Sequence, residues 1–135
     1  MQIPKKILSR SDEITADFLK LLDDHIKDIL NGDVHEMFHI KDFAARLFIH
    51  PTHFSNTIKL TTGKSPCDFV EERVTREAKR MLQDNALSIA DICYRLTFHE
   101  PTNFTKFFKA MTGITPRQYR KQLMEDKILT SLQPA

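Results

Sequence analysis

Two stretches of the chain place hydrogen-bonding side chains between apolar ones at the spacing of an α-helix. Phe54 and Ile58 are the apolar residues of the first stretch, and Phe104 and Phe108 are those of the second. The polar residues between them form an outward set: Thr52, His53, Ser55, Asn56 and Lys59 in the first, and Thr102, Asn103, Thr105, Lys106 and Lys109 in the second. Asn can hydrogen-bond adenine twice, Lys reaches guanine O6 and N7, and a Thr methyl packs on the thymine methyl. Both stretches could therefore read base pairs.

Helix start and stop signals surround the second stretch. Ser88 followed by Asp91 predicts a capping box, and apolar residues then recur at helical spacing as far as Leu96. Gly113 stands where a left-handed helix cap is needed, and Thr115 with Pro116 predicts the start of another helix. A short helix, a tight turn and a second helix with a polar face form the pattern of a helix-turn-helix reader.

The same pattern occurs twice in the chain. At an offset of 49, the residues Asp42, Arg46 and Leu47 match Asp91, Arg95 and Leu96. At an offset of 50, the residues Pro51, Thr52, Phe54, Lys59, Thr62, Gly63 and Pro66 match Pro101, Thr102, Phe104, Lys109, Thr112, Gly113 and Pro116. The slip of one residue lies in the turn, which tolerates an extra residue. The chain is therefore predicted to contain two helix-turn-helix units.

These signals predict an all-α fold of about seven helices, with two helix-turn-helix subdomains joined by a long linker helix in a homeodomain-like arrangement. The predicted organisation is a flexible arm at 1–11, a first subdomain at 12–65, the linker helix at 66–84, a second subdomain at 85–127 and a flexible tail at 128–135. A linker of roughly 18 residues is about 27 Å long, which is comparable with the roughly 34 Å of one DNA turn. Two recognition helices could then enter successive major grooves.

The charge distribution agrees with a DNA surface in the second part of the chain. Residues 1–36 contain five Lys or Arg and eight Asp or Glu, whereas residues 37–135 contain fifteen and ten. Within residues 97–121 the counts are five and one. A phosphate-binding surface requires such a positive field, although a solvated basic face on an ordinary helical protein would look similar.

Other classes of function find little support. No apolar run approaches a membrane span and no signal peptide opens the chain, so we expect a soluble, cytoplasmic protein. Cys67 and Cys93 have no CxxC spacing and are expected to be reduced, packed thiols. His35 with His39, and His50 with His53, lack further ligands, so no metal site is expected. We expect no cofactor, no catalytic residues and no enzymatic activity, because no phosphate loop or catalytic triad pattern is present.

The arrangement resembles the DNA-binding domain of the AraC/XylS family of bacterial transcription regulators, from about Phe18 to Lys121. The residues that carry the resemblance are Ile92, Phe98, Phe104, Phe108, Lys109, Gly113, Thr115, Pro116, Tyr119 and Arg120. The resemblance implies sequence-specific binding of double-stranded DNA in transcription regulation, with RNA polymerase as a further partner. By family position, the base-contacting residues would be Thr52, Ser55, Asn56, Thr102, Thr105 and Lys106. The phosphate-contacting residues would be His53, Lys59, Asn103, Lys109, Arg117 and Lys121, whereas Arg120 could equally pair with an acidic neighbour.

The chain departs from the family pattern at a few positions. Phe48 and Thr97 stand where the family usually has a turn glycine. Either these residues adopt the left-handed conformation, at a cost of about 1–2 kcal/mol, or the turn has a different shape. His50 stands where a capping Ser is usual, and Asn56 where the family often has Arg. Because His39 and His50 are poor capping residues, we expect a softer first recognition helix and more sequence discrimination by the second.

Two questions stay open at this point. The chain could be a helical protein-interaction module that docks through its acidic first helix, without binding DNA. It could also be a small stand-alone regulator or the DNA-binding piece of a larger protein. Most members of the family carry a separate effector or dimerisation domain, and no small-molecule pocket is expected in this chain.

Overall fold

The computed structural model describes residues 5–132, which form seven α-helices and no strand. The helices are α1 Lys5–Leu30, α2 Ile40–Arg46, α3 Pro51–Thr62, α4 Pro66–Leu82, α5 Ile89–Arg95, α6 Pro101–Thr112 and α7 Pro116–Leu132. The predicted all-α class with about seven helices is confirmed. Within this described range, none of the helices is long and apolar enough to cross a membrane.

The internal repeat appears as two matched sets of helices. The helices α2, α3 and α4 contain 7, 12 and 17 residues, and α5, α6 and α7 contain the same numbers. The chain divides into two compact units between Glu71 and Glu72, inside α4. The predicted linker helix at 66–84 is observed as one continuous helix from Pro66 to Leu82, and the boundary between the two units lies within it.

Both ends of the described chain are more helical than the sequence predicted. The helix α1 begins at Lys5, inside the predicted arm at 1–11, and α7 continues to Leu132, inside the predicted tail at 128–135. Residues 1–4 and 133–135 lie outside the described range. No glycine or proline occurs between Pro4 and Gly32, and Ser11 is buried, so the buried face of α1 begins before Ile14. The last turns of α7 remain helical although their side chains, such as Leu132, are exposed.

The core of the first unit is built around Phe18 of α1, which is fully buried. Its ring meets the rings of Phe43, Phe54 and Phe69 edge to face, at centroid distances of 5.5, 5.1 and 6.1 Å. These partners lie on α2, α3 and α4, so one side chain joins all four helices of the unit. Ile14, Phe18, Leu22, Ile26 and Ile29 are buried and recur at helical spacing, so they form the buried face of α1.

The second unit has an aromatic core of its own. Phe104 and Phe108 of α6 are fully buried, and Ile92 and Cys93 of α5 are buried beside them in the same unit. The ring of Phe108 meets Tyr119 of α7 at 5.5 Å, which attaches α7 to the recognition helix. Both cysteines are free, but Cys67 is exposed, so the expectation of packing was wrong for that thiol.

The turns of both helix-turn-helix units contain a residue with a left-handed backbone. Phe48 has φ of 60° and Thr97 has φ of 70°. In each turn the next two N–H groups bond back to the preceding helix: Phe48 to Ala45 O and Ile49 to Ala44 O, and Thr97 to Tyr94 O and Phe98 to Cys93 O. This is the Schellman arrangement that usually contains glycine. The turns therefore keep the shape expected of the family and accept the strain.

Replacing Phe48 by glycine should stabilise the protein. The Phe48 side chain is 94% exposed, so its removal loses almost no packing. Relief of the left-handed strain, about 1–2 kcal/mol, exceeds the roughly 0.5–1 kcal/mol entropic cost of glycine. We expect the free energy of unfolding in urea to rise by up to about 1 kcal/mol. The matched control is Ala45→Gly at an exposed position of α2, which should lower the free energy of unfolding by about 1 kcal/mol. Equal losses in both variants would contradict strain at Phe48.

His25 of α1 is buried against the segment that precedes α2. Its Nε2 accepts the backbone N–H of Phe38 at 3.0 Å, and its ring stacks on the Phe38 ring at 3.7 Å. Since Nε2 is an acceptor, the neutral ring carries its proton on Nδ1, which has no hydrogen-bond partner among the described residues. Burial lowers the pKa of His25 below its usual 6.5. The charge of Asp28 opposes this shift, Arg46 adds to it, and Asp42 has the smallest, raising effect.

The burial of His25 predicts an acid-sensitive first unit. A lowered pKa in the folded state means that the unfolded chain binds the proton first, so stability is complete above about pH 6.5 and falls as the pH drops toward the folded-state pKa. The loss cannot exceed about 1.4 kcal/mol per pH unit for one group. Urea unfolding between pH 8 and 5 should show this slope in the wild type and a flatter profile in His25→Phe. Parallel profiles would contradict the assignment.

Candidate nucleic-acid interface

The two predicted recognition helices, α3 and α6, share two features of their ends. Proline occupies the first helical position of each, and each ends at a left-handed glycine, Gly63 with φ of 79° and Gly113 with φ of 89°. The glycine N–H donates to Lys59 O in one helix and to Lys109 O in the other, both at 2.8 Å. The two helices are therefore equivalent scaffolds that carry different side chains.

The apolar side of each recognition helix is buried as predicted, which leaves the polar side outward. Phe54, Thr57 and Ile58 are buried in α3, and Phe104 and Phe108 are buried in α6. The base-contacting candidates Thr52, Asn56, Thr102 and Lys106 are exposed, while Ser55 and Thr105 are half-buried. Residues three and four apart share one face of a helix, so each set forms a single polar surface.

The six phosphate candidates are also exposed. His53 and Lys59 lie on α3, Asn103 and Lys109 on α6, and Arg117 and Lys121 on α7. Arg117 and Lys121 are one helical turn apart in the first half of α7, in the same unit as α6. Each unit thus presents at least one lysine beside its polar recognition surface.

Arg120 has a structural partner rather than an acidic one. Its Nε donates to Leu82 O at 3.1 Å and its guanidinium donates to Asp84 O at 3.2 Å. The carbonyls at the end of α4 have no helical partners, so Arg120 caps that helix from α7. The sequence hypothesis of an acidic partner missed this role, because carbonyl groups leave no signal in the sequence.

The start of each recognition helix differs from the prediction. His50 Nδ1 accepts the N–H of Thr52 at 3.1 Å, so a histidine caps α3 with its side chain. Glu100 is the residue before α6, and its side chain makes no capping hydrogen bond. The expectation that the first recognition helix is the less well capped of the two is therefore wrong. The predicted capping box at Ser88 is confirmed, with Asp91 N–H to Ser88 Oγ at 2.9 Å, but it belongs to α5.

Two further features of the described part of the chain concern metal ions and small molecules. No group of three or more His, Cys, Asp or Glu side chains there could hold a metal ion. The first unit has an open depression of about 620 Å³, lined by residues of 33–39 together with Asp42, Ala45 and Arg46. Its lining combines charged side chains and exposed histidines with apolar residues such as Met37 and Phe38.

Fold and site together define a double helix-turn-helix protein. A family model described as a helix-turn-helix domain matches residues 43–122, from α2 to α7. This range is more than half of the 135 residues, so the chain belongs to this helix-turn-helix family. This family match agrees with the predicted resemblance to an AraC-type DNA-binding domain, and solved structures that include such a domain share the fold.

One relative is the HTH-type transcriptional regulator YobQ of Bacillus subtilis, which is 32% identical over 124 residues. The match covers 84% of this chain and 52% of YobQ, so the chain spans about half the length of that relative. The AraC-type regulator from Chromobacterium violaceum has a TM-score of 0.67 at 20% identity, over 84% of this chain and 95% of that chain. The DNA-binding domain of AdpA, solved in complex with a target DNA, has a TM-score of 0.61 at 24% identity, over 75% and 90%. These structures share the fold.

Proposed function

We propose that this chain binds double-stranded DNA sequence-specifically and serves bacterial transcription regulation. The observation that carries the proposal is the presence of two equivalent recognition helices. Helices α3 and α6 bury matched apolar faces and expose matched polar faces. A protein-interaction module has no need for two helices with the same first proline, the same C-terminal glycine and the same exposed polar positions. In this proposal α3 and α6 enter successive major grooves of one duplex, as two readers joined by a single helix would allow.

The roles of the exposed residues follow from their chemistry. We propose that Thr52, Ser55, Asn56, Thr102, Thr105 and Lys106 contact base edges, and that His53, Lys59, Asn103, Lys109, Arg117 and Lys121 contact phosphates. Amides, hydroxyls and lysines suit base edges, while exposed cations beside them suit the backbone. We also propose RNA polymerase as a protein partner, a cytoplasmic location and no catalytic role, in keeping with the regulators that the chain resembles.

A salt titration tests this function. If several Lys and Arg side chains neutralise phosphates, log K for a duplex should fall linearly with log salt, by about 0.9 per phosphate contacted. Lys109→Ala should weaken binding to all sequences alike and reduce the slope by about one unit. The matched control is Lys20→Ala, which removes an exposed lysine from the acidic helix α1. No duplex binding by the wild type would favour the protein-interaction module, and equal slopes in both variants would remove Lys109 from the phosphate set.

A further inference from the structure

One acidic side chain stands alone in the basic part of the second unit. Between residues 97 and 121, Glu100 is the single acid among five basic residues, namely Lys106, Lys109, Arg117, Arg120 and Lys121. It is exposed and comes directly before Pro101, the first residue of recognition helix α6. A carboxylate facing DNA repels phosphates, so it weakens binding to every sequence unless a base group donates a hydrogen bond to it.

The local fold does not use the Glu100 side chain. At the equivalent place in the first unit, His50 caps α3 through the N–H of Thr52. The Glu100 side chain makes no capping hydrogen bond, while its backbone carbonyl accepts the N–H of Asn103 at 3.0 Å. The backbone therefore holds the start of α6, and the carboxylate remains available to a ligand.

We propose that Glu100 is a specificity-determining residue that accepts a hydrogen bond from cytosine N4 in the major groove. This proposal rests on the DNA-binding function proposed above. The N-terminal residues of a recognition helix are those that contact base edges, and Glu100 precedes the candidate Thr102 by two residues. An ionised carboxylate can only accept.

The pattern of groups in the major groove selects cytosine as the partner of a carboxylate. Guanine and thymine present only acceptors as hydrogen-bonding groups, and adenine presents its N6 donor beside the acceptor N7. Cytosine presents the N4 donor without an adjacent acceptor of its own. At cytosine, a hydrogen bond offsets the repulsion between the Glu100 carboxylate and the phosphates. At every other sequence the repulsion is not offset, so Glu100 favours the correct site by penalising the others.

Selection from a random duplex pool tests the proposal with the full chain. The wild type should select cytosine at one position of the site. The Glu100→Gln variant should no longer be restricted to cytosine at that position, because glutamine prefers adenine. Against single-base variants of the selected site, the preference for cytosine should fall by about 5- to 150-fold, and binding to unrelated duplexes should strengthen. Every other selected position should stay unchanged.

Two further variants separate base reading from charge and from helix capping. Glu125→Gln removes an exposed carboxylate from α7 and should leave all base preferences intact. Glu100→Ser supplies the side-chain cap that α6 lacks, so it should fold stably and still lose the cytosine preference. Identical base preferences in the wild type and Glu100→Gln would overturn the role of Glu100 alone. A wild type that binds no duplex would overturn both this role and the proposed function.

Discussion

Replacing Phe18 by alanine is expected to lower the free energy of unfolding by about 3–5 kcal/mol. The side chain is fully buried, so its removal leaves a cavity among α1, α2, α3 and α4. It also removes three edge-to-face ring contacts, each of which contributes about 0.5–1.5 kcal/mol beyond simple burial. Because small domains are stable by only about 5–15 kcal/mol, this loss should unfold the first unit under mild conditions.

The matched control for Phe18→Ala is Leu19→Ala. Leu19 is the next residue of the same helix and is 40% exposed. Its truncation to alanine should lower the free energy of unfolding by well under half as much. Urea unfolding followed by circular dichroism measures both variants. If the two variants lose similar stability, Phe18 is not the centre of the first unit.

Helix order and helix ends were predictable because each depends on residues close in the sequence. The capping pair Ser65 and Asp68 exchanges two hydrogen bonds, of 3.0 and 3.2 Å, and so does the pair Thr115 and Gln118, at 2.9 and 3.2 Å. Such bonds span three residues, so a motif in the sequence is enough to predict them. The repeat then predicted the second set of helices from the first.

Features that depend on tertiary contacts were predicted less well. The turn at Phe48 keeps its left-handed backbone because the hydrogen bonds of the Schellman arrangement outweigh the strain, and residue type alone argued equally for another turn. Arg120 bonds two carbonyl groups more than thirty residues away in the sequence. No motif in the sequence distinguished His25, although its Nε2 accepts a hydrogen bond from the N–H of Phe38.

The candidate site was predictable as a surface but not in its finer ranking. Alternation of apolar and polar residues at helical spacing assigned the outward faces of α3 and α6, since burial follows that spacing directly. The strength of a cap depends on side-chain geometry, and a histidine with Nδ1 as acceptor performs the role of the expected serine. The difference in capping therefore no longer supports ranking the second recognition helix above the first, whereas the charge difference still does.

The charge difference leads to the last prediction, that Lys106→Ala costs more sequence discrimination than Asn56→Ala. Both residues are exposed at equivalent positions of α6 and α3. Lysine combines a hydrogen bond to guanine with long-range attraction to the duplex, and Lys106 lies in the more basic unit. Each lost base contact should cost about 1–3 kcal/mol and relax preference at one position only.

Binding of both variants to a selected site, and to its single-base variants, measures this ranking at fixed salt. The side-chain cap of α3 increases the expected contribution of Asn56 to base discrimination, because a helix that is held in place loses less entropy on docking. Asparagine can also bond adenine twice, which lysine cannot do. Because lysine adds long-range attraction to its hydrogen bond, Lys106→Ala is nevertheless expected to have the larger effect, through loss of the preference for a guanine. If Asn56→Ala is the costlier change and Lys106→Ala leaves every base preference intact, the first reader carries the discrimination.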